Sequence, residues 1–152
     1  MRSTTPIIEL RGLSYSYGNS KIEALKDINL KIYAGEKVAF LGANGAGKST
    51  LFKHLNGILK PNLGEVLVHE EPISKKNISK VRQTVGIVFQ NLFFQILAPT
   101  VEQDVAFGPV NMGLSEKEVD SRVKEALELV NMAGLEDRSE EHTSELQSRI
   151  TI

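Results

Sequence analysis

Eight consecutive residues, Gly42-Ala43-Asn44-Gly45-Ala46-Gly47-Lys48-Ser49, fit the spacing G-x-x-x-x-G-K-[ST]. Glycines at 42, 45 and 47 let backbone amides turn inward where a Cβ would obstruct approach, and a helix beginning here adds the positive end of its dipole. That arrangement binds phosphate. Residues Gly42, Asn44, Gly45, Ala46 and Gly47 are expected to cradle the α and β phosphates of a nucleotide, with Lys48 reaching the β and γ phosphates as a mobile point charge. The Ser49 hydroxyl is placed to ligate Mg²⁺, and Thr50 can support the α-phosphate. A glycine-rich turn without a ligand is the alternative, and it leaves Lys48 and Ser49 unexplained.

Such a loop works only between a strand and a helix. Lys37-Val38-Ala39-Phe40-Leu41 is a short continuous apolar run, as expected of a parallel strand covered on both faces. After the loop, Leu51, Leu55 and Ile58 recur at helical spacing until Gly57 and Pro61 end the pattern. Upstream, Ile8 and Leu10, then Leu13, Tyr15 and Tyr17, alternate around a slip near Gly12, and Ile28, Leu30 and Ile32 alternate cleanly. Both predict half-buried antiparallel strands. Downstream, Glu65-Val66-Leu67-Val68 and Val85-Gly86-Ile87-Val88-Phe89 are strand candidates with a short helix near Ser79 to Gln83 between them. Capping-box patterns at Thr100 to Gln103 and Ser115 to Glu118 start two further helices. The second presents Val119, Val123, Leu127 and Val130 on one face and is expected to stop near Gly134. The fold class is α/β.

The 152 residues fit one domain, and 41% hydrophobic residues can supply its core. Lys plus Arg total 18 against 19 Asp plus Glu, so no basic field points to nucleic acid. Without cysteine there is no disulfide and no thiolate metal site. The N-terminus carries no signal-peptide apolar region, and no apolar run approaches the roughly 20 residues that span a bilayer. Direct membrane insertion is therefore not expected, and membrane association would come through a partner. His54, His69 and His142 lack a metal-ligand spacing, and His69-Glu70-Glu71 reads as a solvated strand end.

Beyond the phosphate loop, the chain resembles the ATP-binding subunits of ABC transporters, and most closely the energy-coupling-factor or cobalt-importer ATPases, from about Ile7 to Leu135. The resemblance rests on Leu13-Ser14-Tyr15-Ser16-Tyr17, Gly35-Glu36, the loop with Thr50 and Leu51, Val85 to Gln90, and the segment Gln95 to Leu114. It implies a P-loop NTPase of the ABC ATPase type, N-terminal part only: an antiparallel β region, an incomplete parallel core and the start of a helical region. It also implies that Tyr17 stacks on adenine. Gln90 resembles the Q-loop glutamine, whose amide contacts Mg²⁺ or the attacking water and reports nucleotide state to a membrane partner. Lys48 and Gln90 would then be the catalytic residues here, and Ser49 and Gln90 the Mg²⁺ contacts. Phe93, Phe94 and Ile96 would form a groove for a transmembrane subunit's coupling helix, with core packing the alternative. The resemblance implies ATP and Mg²⁺ as cofactors, a second ATP-binding subunit (the same or a different chain) and a transmembrane coupling subunit. It places the protein peripherally on the cytoplasmic face of the plasma membrane. Cobalt, nickel and vitamins all stay open as cargo.

The family pattern breaks after Asp137. No Gly-Gly and no Asp-Glu pair occurs in the chain, so the Leu-Ser-Gly-Gly signature and the catalytic carboxylate of an ABC ATPase are absent, as is the switch histidine. The stretch Arg138-Ser139-Glu140-Glu141-His142-Thr143-Ser144-Glu145-Leu146-Gln147-Ser148 looks like a sequencing-library adapter translated in frame. Residues 1–137 are accordingly expected to be a partial ATP-binding domain and 138–152 a non-native read-through tail, a native polar tail being the alternative. Weak or absent ATP binding and no steady-state hydrolysis are expected of the chain alone. A nucleotide-binding module that never hydrolyses, and a P-loop ATPase unrelated to transport, are the competing functions.

Overall fold

The alternation read around Ile8 to Tyr15 builds strand β1 (Pro6–Ser16), which pairs antiparallel with β2 (Glu23–Tyr33) on one side and with β3 (Leu63–Val68) on the other. The computed structural model describes residues 5–18, 22–91 and 95–139, in two compact units, Met1–Ile87 and Val88–Ile152. In the first unit a two-residue strand β4 (Glu71–Pro72) completes a four-stranded antiparallel sheet of order β2-β1-β3-β4. The slip near Gly12 is a bulge. Gly12 sits at φ +58°, the register shifts between Leu10 and Leu13, and the displaced Gly12 amide donates to Asn29 Oδ1 at 2.8 Å. Gly64, at φ +77°, brings β3 against this bulge so closely that a Cβ there would lie 2.3 Å from the Gly12 carbonyl oxygen. Only glycine permits that approach.

Helix α1 (Lys48–Leu55) lays Thr50, Leu51, His54 and Leu55 onto the sheet, and Leu51 and Leu55 join Leu10, Leu13, Leu25 and Val66 in the core. The short helix α2 (Ile78–Thr84) falls where the pattern predicted it, with Val81 buried. On the sheet, Glu9 accepts from Arg11 at 2.8 Å and pairs with Lys31 at 3.3 Å.

Three expectations need correction in this unit and at its boundary. Residues 37–41 and 85–89 form no strand ladder: the described sheet is wholly antiparallel, and neither run has a parallel neighbour to bond. Phe40 and Val85 still pack on the core, while Leu41 is 94% exposed and Val88 77%. An apolar run becomes a central parallel strand only when strands flank it on both edges. The third correction is His69-Glu70, which is a two-residue turn rather than a strand end. Both residues have positive φ, +48° and +65°, and Val68 pairs with Glu71 across them, the dihedral signature of a type I′ hairpin.

The second unit contains α3 (Val101–Asn111) and α4 (Glu116–Leu129). Thr100 Oγ1 accepts the Gln103 amide, and the Glu118 carboxylate takes both the amide and the hydroxyl of Ser115, at 3.0 and 2.6 Å. Both helix starts are therefore where the capping patterns put them. Val119, Val123 and Leu127 are buried against Val101, Val105, Ala106, Leu114 and Met132. Val130, expected on the same face, is 60% exposed, because the helix ends at Leu129. Asn131 takes the left-handed conformation at φ +57° and stops the helix before Gly134 is reached. Among the described residues no helix is long and apolar enough to cross a membrane.

Candidate functional site

The glycines of the loop do different work. Gly47 is the N-cap of α1 at φ +86°, and a Cβ there would lie 2.4 Å from the Ala24 carbonyl oxygen, so this glycine lets the loop pass against β2. Gly45, at φ +81°, has nothing within 4 Å of the place a Cβ would occupy. That open side is what a phosphate group needs to reach the backbone. The Leu51 amide closes the first helical bond onto the Gly47 carbonyl at 2.8 Å. The earlier amides of α1 have no intrahelical acceptor by helix geometry, no side chain caps them, and no acidic residue sits in the first turn. An anion is the natural complement of such a helix start.

Lys48 lies back across the loop. Its Nζ donates to the carbonyls of Gly42 at 2.6 Å and Ala43 at 2.7 Å. The Ala46 amide donates to the Ala43 carbonyl, placing Asn44 and Gly45 at the tip of a turn. Ser49 is exposed at the start of α1, with its hydroxyl available to a divalent cation, whose remaining ligands would be phosphate and water oxygens. Among the described residues no group of three His, Asp or Glu could hold a metal. These residues fit a Mg²⁺-bound triphosphate.

Thr50 is buried, and its Oγ1 lies 3.0 Å from the Tyr17 hydroxyl. The fold thus brings Tyr17, 33 positions away in sequence, onto the phosphate-loop helix. Tyr17 remains 47% exposed and meets Tyr15 edge-on, with ring centroids 5.0 Å apart. Tyr15 in turn meets His54 at 4.7 Å. His54 lies four residues after Thr50, on the same buried face of α1.

Gln90 is exposed and belongs to the second unit. Phe93 and Phe94 lie outside the described residues. Ile96 helps line a groove of about 570 Å³ with Pro99, Val101, Leu127 and Met132. The Asp104 carboxylate holds the segment beside it, accepting the amides of Leu97 at 2.7 Å and Ala98 at 3.3 Å.

The family model described as ABC transporter matches residues 25–148. A putative ABC transporter ATP-binding protein of Methanosarcina acetivorans is 58% identical over 149 residues, 98% of this chain and 46% of the relative. The energy-coupling factor transporter ATP-binding protein EcfA of Methanothermobacter thermautotrophicus is 57% identical over 140 residues, 91% of this chain and 45% of the relative. Among solved structures, cbiO1 of Clostridium perfringens, part of the ABC transporter complex cbiONQ, superposes with a TM-score of 0.77 at 45% identity, covering 89% of this chain and 54% of that one. A dimeric ATP-binding cassette in a post-hydrolysis state, bound to ADP and Pi, superposes with a TM-score of 0.73 at 27% identity, covering 88% and 62%. The chain spans about half the length of the curated relatives it matches. It has the N-terminal part of the ABC ATPase fold, antiparallel sheet and phosphate loop included, and it belongs to the ABC transporter ATP-binding family.

Proposed function

We propose that the protein to which this chain belongs is the ATP-binding subunit of an energy-coupling-factor type importer, which couples MgATP binding and hydrolysis to uptake of a metal ion such as cobalt or of a vitamin. The observation that carries this reading is the loop itself. A helix start without an acidic or capping side chain, a left-handed Gly45 open to approach and a lysine folded over the same loop come together within residues 42–49. The relatives named for energy coupling and the cbiONQ component support the importer class.

In this reading the amides of residues 42–49 bind the α and β phosphates. Lys48 exchanges its two carbonyl bonds, to Gly42 and Ala43, for charge-assisted bonds to the β and γ phosphates. Ser49 would hold Mg²⁺, which would supply charge to neutralise that developing on the transferring phosphoryl group, and Gln90 keeps the Mg²⁺-contact role that the resemblance gives it. Tyr17 supplies the adenine platform. A second ATP-binding subunit, identical or not, and a transmembrane coupling subunit complete the machine peripherally on the cytoplasmic face of the plasma membrane.

The chain contains no Asp-Glu pair and no Leu-Ser-Gly-Gly run, so by itself it is assigned no steady-state turnover. A module that holds nucleotide without hydrolysing it is the second reading, and an apolar run closing in Asp-Glu in the true downstream sequence would exclude it. Residues 138–152 are proposed to be read-through, which the source gene sequence past codon 137 checks. The decisive experiment is Lys48→Ala in the complete protein. It should lower ATPase turnover on the order of 100-fold with little change in melting temperature. Undiminished turnover would sink the assignment.

A further inference from the structure

Four residues close a circuit between the end of β1 and helix α1. The Tyr17 hydroxyl lies 3.0 Å from Thr50 Oγ1, and the Thr50 carbonyl accepts from His54 Nδ1 at 2.8 Å. The His54 ring stands at 72° to Tyr15 with centroids 4.7 Å apart, and Tyr15 stands at 85° to Tyr17 at 5.0 Å. Each link has the geometry of a favourable contact, edge-to-face for the rings and hydrogen-bond distance for the polar atoms.

His54 is the informative member. It is fully buried, next to Leu51 and Leu55 on a face where an aliphatic residue would fill the same space without desolvating an imidazole. What the imidazole adds is a bond to the residue whose hydroxyl holds Tyr17, and a ring edge for Tyr15. Tyr17 lies just past the last residue of β1, where a half-exposed aromatic would ordinarily turn about both side-chain torsions. Here its hydroxyl is tied at one end and its ring is braced at the side, and almost half of the residue stays open.

Resting on the adenine-stacking reading above, we infer that Tyr15 and His54 are positioning residues that hold the Tyr17 ring in a fixed place over the phosphate-loop helix, so that the platform for a purine base is set before nucleotide arrives. Restraining the ring beforehand removes an ordering cost from the binding step. The device acts on the base end of the ligand and leaves the phosphate end untouched.

Ligand-detected NMR titration separates the two ends, because it registers weak binding and can compare MgATP with Mg-tripolyphosphate, which carries the phosphates and no base. In the complete protein Tyr17→Ala and Tyr15→Leu should each weaken MgATP about threefold to tenfold, with Mg-tripolyphosphate changed less than about twofold. Tyr15→Phe, which keeps the ring edge, should restore MgATP binding, and His54→Leu should follow Tyr15→Leu. If His54→Leu does not fold, the Tyr15 pair decides. Equal loss of both ligands in Tyr15→Leu would mean a general packing role and overturn the inference. Loss in Tyr17→Ala with none in Tyr15→Leu would overturn positioning while leaving stacking intact. A wild-type complete protein that binds both ligands alike overturns the stacking reading and the inference with it.

Discussion

His54 and Glu9 show how two buried or braced groups divide the pH axis. Burial pushes the His54 imidazole below its ordinary value, against the pull of the Thr50 carbonyl. The unfolded chain therefore takes up a proton before the folded one does as pH falls. Stability is fully present above the ordinary histidine value of about 6.5 and declines below it until the lowered value is reached. Glu9 lies lower on the axis: its hydrogen bond with Arg11, helped by Lys31, holds its carboxyl below the usual carboxylate range. Its contribution is present above the ordinary carboxylate value and is lost only as pH falls through the lowered one. Melting temperature should thus already drop between pH 7.5 and pH 5.5, before carboxylates matter. His54→Phe, measured by circular dichroism across that interval, should flatten the slope. An unchanged slope in that variant would assign the effect to another group.

At the scale of elements, the junction between β2 and α1 depends on Gly47. Gly47→Ala places a Cβ against the Ala24 carbonyl oxygen in a backbone conformation that already disfavours it, and should cost about 2 kcal/mol or more. Chemical denaturation of the variant beside the wild type reads this directly, and Gly45→Ala, which meets nothing, should cost less. The same contrast explains what was legible in the sequence. The loop, β1, β2, α1, both capped helix starts and the bulge at Gly12 announce themselves through local spacing and local capping chemistry. The placement of Tyr17 on Thr50 is a contact across 33 positions, and only the family resemblance pointed to Tyr17 at all. The hairpin at His69-Glu70 hid because neither residue is the Asn or Gly that usually signals positive φ. The end of α4 was misjudged because two left-handed candidates, Asn131 and Gly134, compete, and the nearer one wins.

For the whole molecule, the two runs that read as strands and form none set the behaviour of the isolated chain. Leu41 stands almost entirely exposed and Val88 largely so, with no ladder partner beside them among the described residues. Unpaired apolar backbone of this kind is a template for association with other chains. Sedimentation of the purified chain should show concentration-dependent self-association, and continuing it with the second half of the family fold should suppress this. A chain that stays monomeric and melts cooperatively at high concentration would count against that view.

The meeting of Gly64 with the β1 bulge also bears on how such sequences can drift. The atom a Gly64 side chain would strike is backbone, the Gly12 carbonyl oxygen, so no replacement at position 12 can make room for it. Gly12 itself is freer: its own Cβ would meet only the Asp27 carboxylate, at an ordinary 3.6 Å, and its φ of +58° is one that asparagine tolerates. Position 64 is consequently a dead end to every mutational path, however many neighbours change with it, whereas position 12 can exchange glycine for asparagine and keep the bulge. Two glycines in contact thus carry unequal constraints.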